Sequence, residues 1–285
     1  MKDVSNAMRA QILTAAVPYI KQYTDQYVVV KYGGNAMTDE ELKKSVMKDL
    51  LLLQLVGVKV VLVHGGGPAI NHTLEAMQIE SHFANGLRVT DEATMDVVQM
   101  VLAGKVNKGL VADLTDLGGK AIGLCGVDGN MIQVHKQNEE LGYVGSVDAI
   151  DTSIIHDVIS RGYIPVISSI GMGADGKTYN INADTVAAKI AGALKAETMV
   201  AMTNIDGVLK DVHDPESLIP KITVAEAEQL KADGIIAGGM IPKVDCCLEA
   251  IEAGAQKVFI INGEIPHAIL IELLTDEGLG TMFVK

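Results

Sequence analysis

The sequence predicts an α/β protein in which helices cover a mostly parallel β-sheet, and two observations lead to this prediction. Short runs rich in β-branched residues alternate with amphipathic helical stretches. These runs are largely apolar, as is typical of strands that are buried on both faces of a sheet. The predicted strands lie at residues 27–31, 58–64, 163–168, 198–203 and 257–261.

Helix start signals fit between these strands. Thr38 with Glu41 and Thr223 with Glu226 match the capping-box pattern, in which each side chain bonds to the backbone N–H of the other residue. A further helix is predicted at residues 152–161. The helices therefore alternate with the strands, as a parallel sheet with crossover helices requires.

The pattern changes between about residues 120 and 182, where shorter strand-like pieces are separated by turn residues. Turns at residues 126–129 and 173–176 predict antiparallel hairpins in this part of the chain. We see no internal repeat and no low-complexity linker.

The segment before the first strand, residues 5–23, is predicted to be one amphipathic helix. Its apolar residues at helical spacing are Met8, Ile12, Ala16 and Tyr19. The helix could pack on its own domain or contact another subunit, and the sequence leaves both interpretations open.

The composition limits the classes of partner. The 285-residue chain carries 23 basic and 36 acidic residues, a net charge of −13, so it has no excess of cations with which to grip a polyanion. Nucleic acid and anionic membrane surfaces are therefore disfavoured. The three cysteines have no metal-ligand spacing and predict reduced thiols in a cytoplasmic protein. The first twenty residues lack a signal-peptide core, and no later stretch is apolar enough to predict a membrane span.

Two glycine-rich turns directly follow predicted strands. The first is KYGG at residues 31–34, and the second is HGGGP at residues 64–68. Ligands of open α/β sheets bind at the carboxyl ends of strands, where glycine N–H groups can approach an anion closely. Lys31 would be costly in a buried strand without an anion nearby, whereas His64 is interpreted as a histidine packed at a strand end. The predicted phosphate-binding residues are Gly33, Gly34, Gly65 and Gly66.

Two motif matches are set aside. Residues 171–178 satisfy the P-loop pattern G-x-x-x-x-G-K-[ST], but the segment that follows reads as extended, whereas a P-loop lysine begins a helix. These residues are therefore interpreted as a hairpin. The dinucleotide fingerprint G-x-G-x-x-G fails at Ile70 in the second glycine turn, which disfavours a nicotinamide-dependent oxidoreductase. Binding of NAD would revive that alternative.

Polar residues gather at two later helix starts. Asn180, Asn182 and Asp184 lie at the beginning of a predicted helix at residues 185–194, and three such residues exceed what a single cap requires. At least one is predicted to face a ligand or to orient a lysine. Lys243 lies just inside another helix amino terminus, an unusual place for a cation unless an anion is near.

Six segments in this order resemble the amino acid kinase family: YVVVKYGGNAM, VVLVHGGGPAIN, NGLRVTD, YNINAD, TNIDGVLKD and GGMIPKV. The resemblance extends from about residue 5 to the carboxyl terminus. It implies a three-layer αβα sandwich with a mostly parallel open central sheet. It also implies transfer of the γ-phosphoryl group of MgATP to the side-chain carboxylate of N-acetyl-L-glutamate, giving N-acetyl-L-glutamyl 5-phosphate in the second step of arginine biosynthesis.

The same resemblance divides the chain by function. Residues 1–23 would form an N-terminal helix, residues 24–190 a lobe that binds the acyl amino acid and dimerises, and residues 191–285 a lobe that binds ATP. The resemblance implies that the nucleotide is held by residues of two loops. These are Thr203, Asp206, Gly207, Val208, Leu209, Gly238 and Met240.

The resemblance assigns the chemistry to three catalytic residues. Lys31 and Lys243 would flank the transferring phosphoryl group, and Asp184 would orient the two lysines. No base is needed because the attacking carboxylate is already ionised at neutral pH. Mg²⁺ would be held mainly through ATP, so no protein metal site is expected. The implied substrate-binding residues are Gly65, Gly66, Arg88 and Asn180.

Regulation is the last implication of the resemblance. The N-terminal helix would interlace dimers into a hexamer, a trimer of dimers, and L-arginine would inhibit by feedback. The implied arginine site comprises Tyr19, Lys210, His267, Glu272 and Gly278. An uninhibited dimer is the alternative state, and a nitrogen-sensing signal protein as partner is left open.

Two rival functions belong beside this expectation. A kinase for an acylated aminoadipate differs in its acceptor by one methylene, which a pocket usually discriminates by only about 1–3 kcal/mol. A catalytically silent subunit that binds arginine is disfavoured because Lys31, Asp184 and Lys243 are all present.

Overall fold

A computed structural model describes residues 5–84 and 86–285, apart from the side chain of Asn35. Asn85 of the NGLRVTD segment and residues 1–4 of the predicted N-terminal unit lie outside the described residues. The α-helices are α1 Asn6–Ala15, α2 Val17–Tyr23, α3 Glu40–Leu55, α4 Gly67–Ala76, α5 Glu92–Gln99, α6 Asn107–Asp116, α7 Ser153–Ser160, α8 Ala183–Ala193, α9 Val224–Ala232, α10 Met240–Ala253 and α11 Ala268–Leu274. A π-helical segment, Met100–Val106, joins α5 to α6.

The strands fall into one large sheet and two small ones. They are β1 Tyr27–Tyr32, β2 Lys59–His64, β3 Phe83–Ala84, β4 Leu87–Arg88, β5 Ala121–Cys125, β6 Ile132–Lys136, β7 Gly145–Ile150, β8 Ile164–Ser168, β9 Ile170–Gly173, β10 Thr178–Asn180, β11 Thr198–Thr203, β12 Lys221–Thr223, β13 Lys257–Asn262 and β14 Thr281–Val284. The five strands predicted from sequence are confirmed to within one residue at each end.

The large sheet has eight strands in the order β12-β14-β13-β11-β1-β2-β8-β5. Its neighbouring strands run parallel, except that β14 is antiparallel to β13. In the central strand β1, Lys31 lies opposite Val63 of β2 and Ala201 of β11. The carboxyl ends of β1, β2, β8 and β11 therefore meet at one edge of the sheet.

Helices cover both faces of this sheet, so the predicted αβα sandwich is confirmed. Alternate residues of each strand point to opposite faces. In β1, Val29 belongs to a core shared with α8 and α10, whereas Val28 and Val30 belong to a core shared with α3, α6 and α11. Strands buried on both faces explain the nearly continuous apolar runs in the sequence.

The region between residues 120 and 182 is mixed rather than wholly antiparallel. Strand β5 joins the large parallel sheet, while β6, β7, β9 and β10 form a separate four-stranded sheet. The predicted hairpin at residues 126–129 is wrong, because a 3-10 turn at Asp128–Asn130 carries the chain from one sheet to the other. The hairpin at residues 173–176 is confirmed, since it joins the antiparallel strands β9 and β10.

The helix start signals have mixed outcomes. The capping box of Thr223 and Glu226 is confirmed at α9. The one predicted at Thr38 is wrong, because α3 begins one residue later with Asp39 as its N-cap, and the Asp39 carboxylate accepts the N–H of Glu41 at 2.9 Å. An aspartate in the N-cap satisfies the same orphan N–H groups as a threonine would.

The single N-terminal helix predicted for residues 5–23 is also wrong, because it divides at Ala16 into α1 and α2. Pro18 lies in the first turn of α2 and lacks the N–H that a continuous helix would use. Helix α2 packs on the core through Tyr23, whereas α1 has no buried residue. Within the described residues, no helix has both the length and the apolar character needed to cross a bilayer.

Candidate active site

Two adjoining cavities lie at the carboxyl edge of the large sheet, beside the starts of α4 and α8. The smaller cavity, of about 170 Å³, is lined by Gly65, Gly66, Arg88 and Asn180 among others. The larger, of about 560 Å³, is lined by side chains that include Asp184 and Lys243. The residues common to both are Gly86, Leu87, Val144, Ile181 and Asn182. The two cavities together form one crevice.

Lys31 and Asp184 form an ion pair at this crevice. Lys31 Nζ lies 3.0 Å from Asp184 Oδ1, and the side chains are 11% and 18% exposed. Asp184 lies in the first turn of α8, where the Asn182 side chain caps the helix by accepting the Asp184 N–H at 2.8 Å. The positive end of the helix dipole and the lysine ammonium both attract the Asp184 carboxylate. A cation and a fixed anion thus stand together where the sheet ends.

The first glycine turn surrounds the lysine head. Gly34 has φ 69°, a left-handed conformation that glycine adopts at little cost. A Cβ at Gly33 would lie 3.4 Å from Lys31 Nζ, so a side chain there would crowd the ammonium group. Both glycines therefore leave room for a ligand beside Lys31.

The second glycine turn opens α4. The Ile70 N–H donates to the Gly66 carbonyl at 2.9 Å as a first bond of the helix, so the N–H groups before it remain outside the helical ladder. Gly66 is required by space, because a Cβ there would lie 2.6 Å from Leu102 Cδ2. Gly65, Gly66 and the helix amino terminus all border the smaller cavity. This arrangement favours an anion.

Arg88 reaches the smaller cavity from β4. It is 7% exposed, and burial lowers the pKa of its guanidinium. Its Nη2 donates to Asn71 Oδ1 at 2.5 Å, and its Nη1 donates to Ser81 Oγ. The guanidinium also lies 4.7 Å from the centroid of the Phe83 ring. These contacts fix the orientation of a cation that a carboxylate could approach.

Asn180 and Lys243 approach the crevice from the other side. Asn180 ends β10, and its Nδ2 donates to Thr90 Oγ1 at 3.3 Å. Lys243 stands in the first turn of α10 and lines the larger cavity with Asp184. The structure thus brings together two lysines, one aspartate, one arginine and two glycine turns that are far apart in the sequence.

The residues predicted to hold a nucleotide lie at the end of β11, in the loop that follows it, and around the start of α10. Thr203 ends β11, and the Asp206 carboxylate accepts from Asn262 Nδ2 at 2.8 Å. Gly207 has φ 145°, and a Cβ there would lie 2.6 Å from Thr281 Oγ1. The remaining predicted nucleotide residues lie in the same loop or at the start of α10: Val208, Leu209, Gly238 and Met240.

The residues predicted to bind arginine lie in α2, in the loop after β11, and in and around α11. A Cβ at Gly278 would lie 3.3 Å from Glu272 Oε1, and burial raises the pKa of Glu272. His267 precedes α11, and Tyr19 packs against the core that includes α11. Lys210 lies in the loop after β11, where its N–H donates to the Ser217 carbonyl at 3.1 Å.

Sequence reasoning missed the residues that support this site. Asn71 and Ser81 hold Arg88, and Asn107 bonds to His64 Nε2 at 3.0 Å. Each is a common polar residue within or near a helix, and its partner lies 7, 17 or 43 residues away in the sequence. No local pattern could have identified them.

The sequence is similar to one protein family and to individual proteins over nearly its whole length. The family model described as the amino acid kinase family matches residues 26–262. A protein of Brachyspira hyodysenteriae named acetylglutamate kinase is 52% identical over 287 residues, which cover all of both chains. One of the same name from Heliobacterium modesticaldum is 49% identical, over 97% of this chain and 98% of its own.

A solved structure extends the comparison to the fold. The N-acetylglutamate synthase of Neisseria gonorrhoeae, complexed with coenzyme A and N-acetyl-glutamate, superimposes with a TM-score of 0.84 at 27% identity. The match covers 97% of this chain and 63% of that protein.

Proposed function

This chain belongs to the amino acid kinase family, and we propose that it transfers the γ-phosphoryl group of ATP to the side-chain carboxylate of N-acetyl-L-glutamate. The product is N-acetyl-L-glutamyl 5-phosphate, an acyl phosphate of arginine biosynthesis. The observation that carries the proposal is the Lys31–Asp184 ion pair beside cavities that also expose Lys243 and Arg88. Cations for a phosphoryl group and for a carboxylate are thereby available in one crevice.

The reaction needs little covalent help from the protein. An oxygen of the acceptor carboxylate attacks the γ-phosphorus, the bond from that phosphorus to the β–γ bridging oxygen breaks, and ADP leaves with the electron pair. The acceptor is already ionised at neutral pH, so no general base is required. Negative charge spreads over the γ-phosphoryl oxygens and the leaving oxygen, and preorganised cations stabilise that charge.

Lys31 and Lys243 supply these cations in our proposal. Lys31 comes from the centre of the sheet and Lys243 from the start of α10, so they approach the crevice from different elements. Asp184 holds the Lys31 ammonium at 3.0 Å and shares a cavity with Lys243, which suits a residue that orients both lysines. Its carboxylate would act as a fixed anion and not as a base.

The two glycine turns would bind the phosphoryl oxygens through their amides. Gly34 and Gly66 each leave backbone N–H groups near the crevice without a side chain in the way. Gly33 and Gly65 complete the turns, and a Cβ at these positions would lie 3.4 Å from Lys31 Nζ and 3.5 Å from Ala183 Cβ. Backbone donors of this kind cost no reorganisation when the transition state forms.

Arg88 and Asn180 would position the acceptor. Arg88 uses Asn71 and Ser81 to hold two of its nitrogens, and its remaining N–H groups suit the α-carboxylate of N-acetyl-L-glutamate. Asn180, across the same cavity, would contact the acylated amino group. Binding both ends of the acceptor aims its side-chain carboxylate at the lysines.

The nucleotide would lie over the loop after β11 and the start of α10, at Thr203, Asp206, Gly207, Val208, Leu209, Gly238 and Met240. ATP would enter as its Mg²⁺ complex. Within the described residues, no group of three or more His, Cys, Asp or Glu side chains is arranged to hold a metal ion. The Mg²⁺ would be held mainly by phosphate oxygens and water, which is common for this ion.

We extend the proposal to regulation and assembly in the cytoplasm. Glu272 and Gly278, with Tyr19, Lys210 and His267, would bind L-arginine as a feedback inhibitor. The exposed apolar residues of α1 support a contact between dimers in a hexamer. A nitrogen-sensing signal protein remains a further candidate partner.

An acceptor panel tests the proposed function. ADP release is measured with N-acetylglutamate, glutamate, aspartate and N-acetylaminoadipate, and hydroxylamine traps any acyl phosphate as a hydroxamate. We expect ADP and hydroxamate in equal amounts with N-acetylglutamate and much less with the other three. Preference for N-acetylaminoadipate would change the acceptor, and no turnover with any of the four would overturn the proposal.

A further inference from the structure

We infer that His64 is a positioning residue that fixes the Gly65–Gly66 peptide so that the Gly66 N–H faces the crevice. The inference rests on the proposed function, because it concerns how the phosphate-binding turn is held. His64 is the last residue of β2 and is 0% exposed. It therefore acts from inside the protein and touches neither substrate.

The neighbours of the Asn107 side chain determine the orientation of its amide. Asn107 begins α6 and is 1% exposed. Its Nδ2 lies 2.8 Å from the Val166 carbonyl oxygen, and a carbonyl can only accept a hydrogen bond. Its Oδ1 accepts from Lys108 Nζ at 3.0 Å on the other side. The amide nitrogen of Asn107 is therefore the atom that faces His64.

The protonation state of the imidazole follows from this orientation. Asn107 Nδ2 lies 3.0 Å from His64 Nε2, and an amide nitrogen cannot accept a hydrogen bond, so a proton on Nε2 would have no acceptor there and Nε2 is the unprotonated nitrogen. Burial lowers the pKa of His64 to about 4, and the positive charge of Lys108 acts in the same direction. The neutral ring must then carry its proton on Nδ1. The Nδ1–H donates to the Gly65 carbonyl oxygen at 2.8 Å.

The tautomer of His64 in turn sets the direction of the Gly66 N–H. In a trans peptide the C=O and the following N–H point in opposite directions, and the described chain has no cis peptide bond. Anchoring the Gly65 carbonyl on a buried ring therefore turns the Gly66 N–H away from the interior. Gly65 and Gly66 both line the smaller cavity, so an N–H turned away from the interior faces the crevice.

The anchor is needed because both residues are glycines. Glycine has no Cβ to restrict rotation, so this peptide could flip at little cost. A flipped peptide would present a carbonyl oxygen, instead of an N–H, to an anionic phosphoryl group. His64 removes that alternative by holding the carbonyl.

The π-helical segment that precedes Asn107 also packs against the second glycine turn. The π-helical segment Met100–Val106 leads directly into α6, and a Cβ at Gly66 would lie 2.6 Å from Leu102 Cδ2 and 3.3 Å from Val106 Cγ2. Segments of π-helix are rare and often occur at functional sites. One continuous helical element thus supports both the Gly66 backbone and the tautomer of His64.

A matched pair of substitutions tests the inference. In His64→Asn the side-chain nitrogen can occupy the position of Nδ1 and still donate to the Gly65 carbonyl. In His64→Gln the amide reaches toward Asn107 instead and leaves that carbonyl without its donor. We expect His64→Asn to keep kcat within about threefold and His64→Gln to lose roughly 100-fold, as for loss of one preorganised donor. The exposed His72→Gln is the control for a histidine on the adjacent helix.

Melting curves and KM values separate positioning from folding. We expect both His64 variants to melt cooperatively, with the loss in kcat larger than any change in either KM. Equal kcat in the two variants would overturn the inference.

A second measurement is independent of turnover. The ¹⁵N spectrum of the His64 ring should show a protonated Nδ1 and an unprotonated Nε2 at neutral pH. Binding of a non-hydrolysable ATP analogue should shift the Gly66 amide signal more in the wild type and in His64→Asn than in His64→Gln. The opposite tautomer would overturn the inference. If the wild type forms no acyl phosphate, the proposed function falls, while the ring spectrum still tests the anchor.

Discussion

Lys31 has little reason to occupy the central strand for stability alone. A partly buried ion pair loses hydration for both charges, and this loss offsets much of its attraction. Lys31 and Asp184 are 11% and 18% exposed and lie beside a cavity, so a third charged group can approach them. Their placement favours a role in binding an anion over a role in holding the sheet together.

We predict that Lys31→Met lowers kcat by about 100-fold or more, because the transition state loses a preorganised cation. The control is Lys189→Met, which removes a lysine that lines the larger cavity beside Asp184 and pairs with Glu249 at 3.4 Å. We expect the control to stay within about threefold of wild type. Steady-state kinetics with ATP and N-acetylglutamate measure both variants.

The control also decides what a loss would mean. If both variants lost activity equally, the crevice would need only net positive charge, and the specific role of Lys31 would be rejected. If Lys31→Met lowered the melting temperature so far that most of the protein was unfolded under assay conditions, a structural role would explain the loss of activity instead.

Single residues could be predicted where their chemistry conflicts with their local environment. Lys31 ends an apolar strand and Lys243 starts a helix, and both conflicts are visible in the sequence. Asn71, Ser81 and Asn107 carry no such conflict, because an asparagine or serine near a helix is ordinary. Their importance comes from partners that only the folded chain brings to them.

At the scale of elements, two segments of the chain that contain a lysine are candidates for binding phosphate. Residues 171–178 match the P-loop pattern but form the β9–β10 hairpin, and Lys177 Nζ there donates to the Tyr143 hydroxyl at 3.1 Å. Lys243 instead lies in the first turn of α10 and lines the crevice. The helix start provides the field that an anion requires, and the hairpin does not.

We therefore predict that Lys177→Ala leaves kcat and the KM for ATP within about twofold of wild type, whereas Lys243→Ala lowers kcat by about 100-fold or more. Initial rates at varied ATP measure both variants, which share one kind of truncation. Loss of ATP binding in Lys177→Ala would restore the P-loop interpretation.

The sequence predicted most elements well because burial on both faces leaves long apolar runs. It failed where one position could be read in two ways. Thr38 and Asp39 are both good N-caps, and the structure uses Asp39. Residues 5–23 keep helical spacing across Pro18, yet the chain divides at Ala16. The π-helical segment Met100–Val106 has no sequence signal that we recognise.

For the whole molecule, the proposed boundary between lobes at residue 190 falls inside α8, Ala183–Ala193. The two proposed lobes would therefore share this helix and the pairing of β1 with β11. Lys31 and Asp184 both fall in the first proposed lobe, whereas Lys243 falls in the second, so a relative movement of the lobes would change the position of Lys243 relative to the Lys31–Asp184 pair.

The buried His64 makes a prediction for the stability of the whole fold. Burial lowers its pKa to about 4 from an ordinary value of 6.5, so the unfolded state binds more protons than the folded state between these values. Stability from this residue is fully present above pH 6.5 and is lost as the pH falls toward 4. The full effect is about 3 kcal/mol.

Denaturant unfolding at several pH values measures this effect. We expect the free energy of unfolding of His64→Asn to fall less steeply than that of wild type between pH 6.5 and 4. The exposed His72→Asn should follow the wild-type slope. Equal slopes in all three proteins would show that His64 does not titrate in this range on unfolding.

The last prediction concerns assembly through α1. This helix has no buried residue, and its Ile12 and Leu13 side chains are 59% and 73% exposed. Exposed apolar surface of this kind often marks a contact with another protein chain. In the proposed hexamer α1 would pack against another dimer. We predict that Leu13→Glu yields dimers, because a charge cannot be buried at that contact without a partner. Gln11→Glu, which adds the same charge on the same exposed helix, is the control.

Light scattering after size-exclusion chromatography measures the mass of the assembly. We expect six times the 30.2 kDa chain mass for wild type and Gln11→Glu, and twice the chain mass for Leu13→Glu. Turnover without arginine should be unchanged in all three, because α1 lies outside the crevice. Inhibition by arginine should weaken in Leu13→Glu alone, since the proposed arginine site includes Tyr19 of the adjoining α2. A wild-type protein that runs as a dimer would reject the hexamer, and full arginine inhibition in a dimeric Leu13→Glu would separate regulation from assembly.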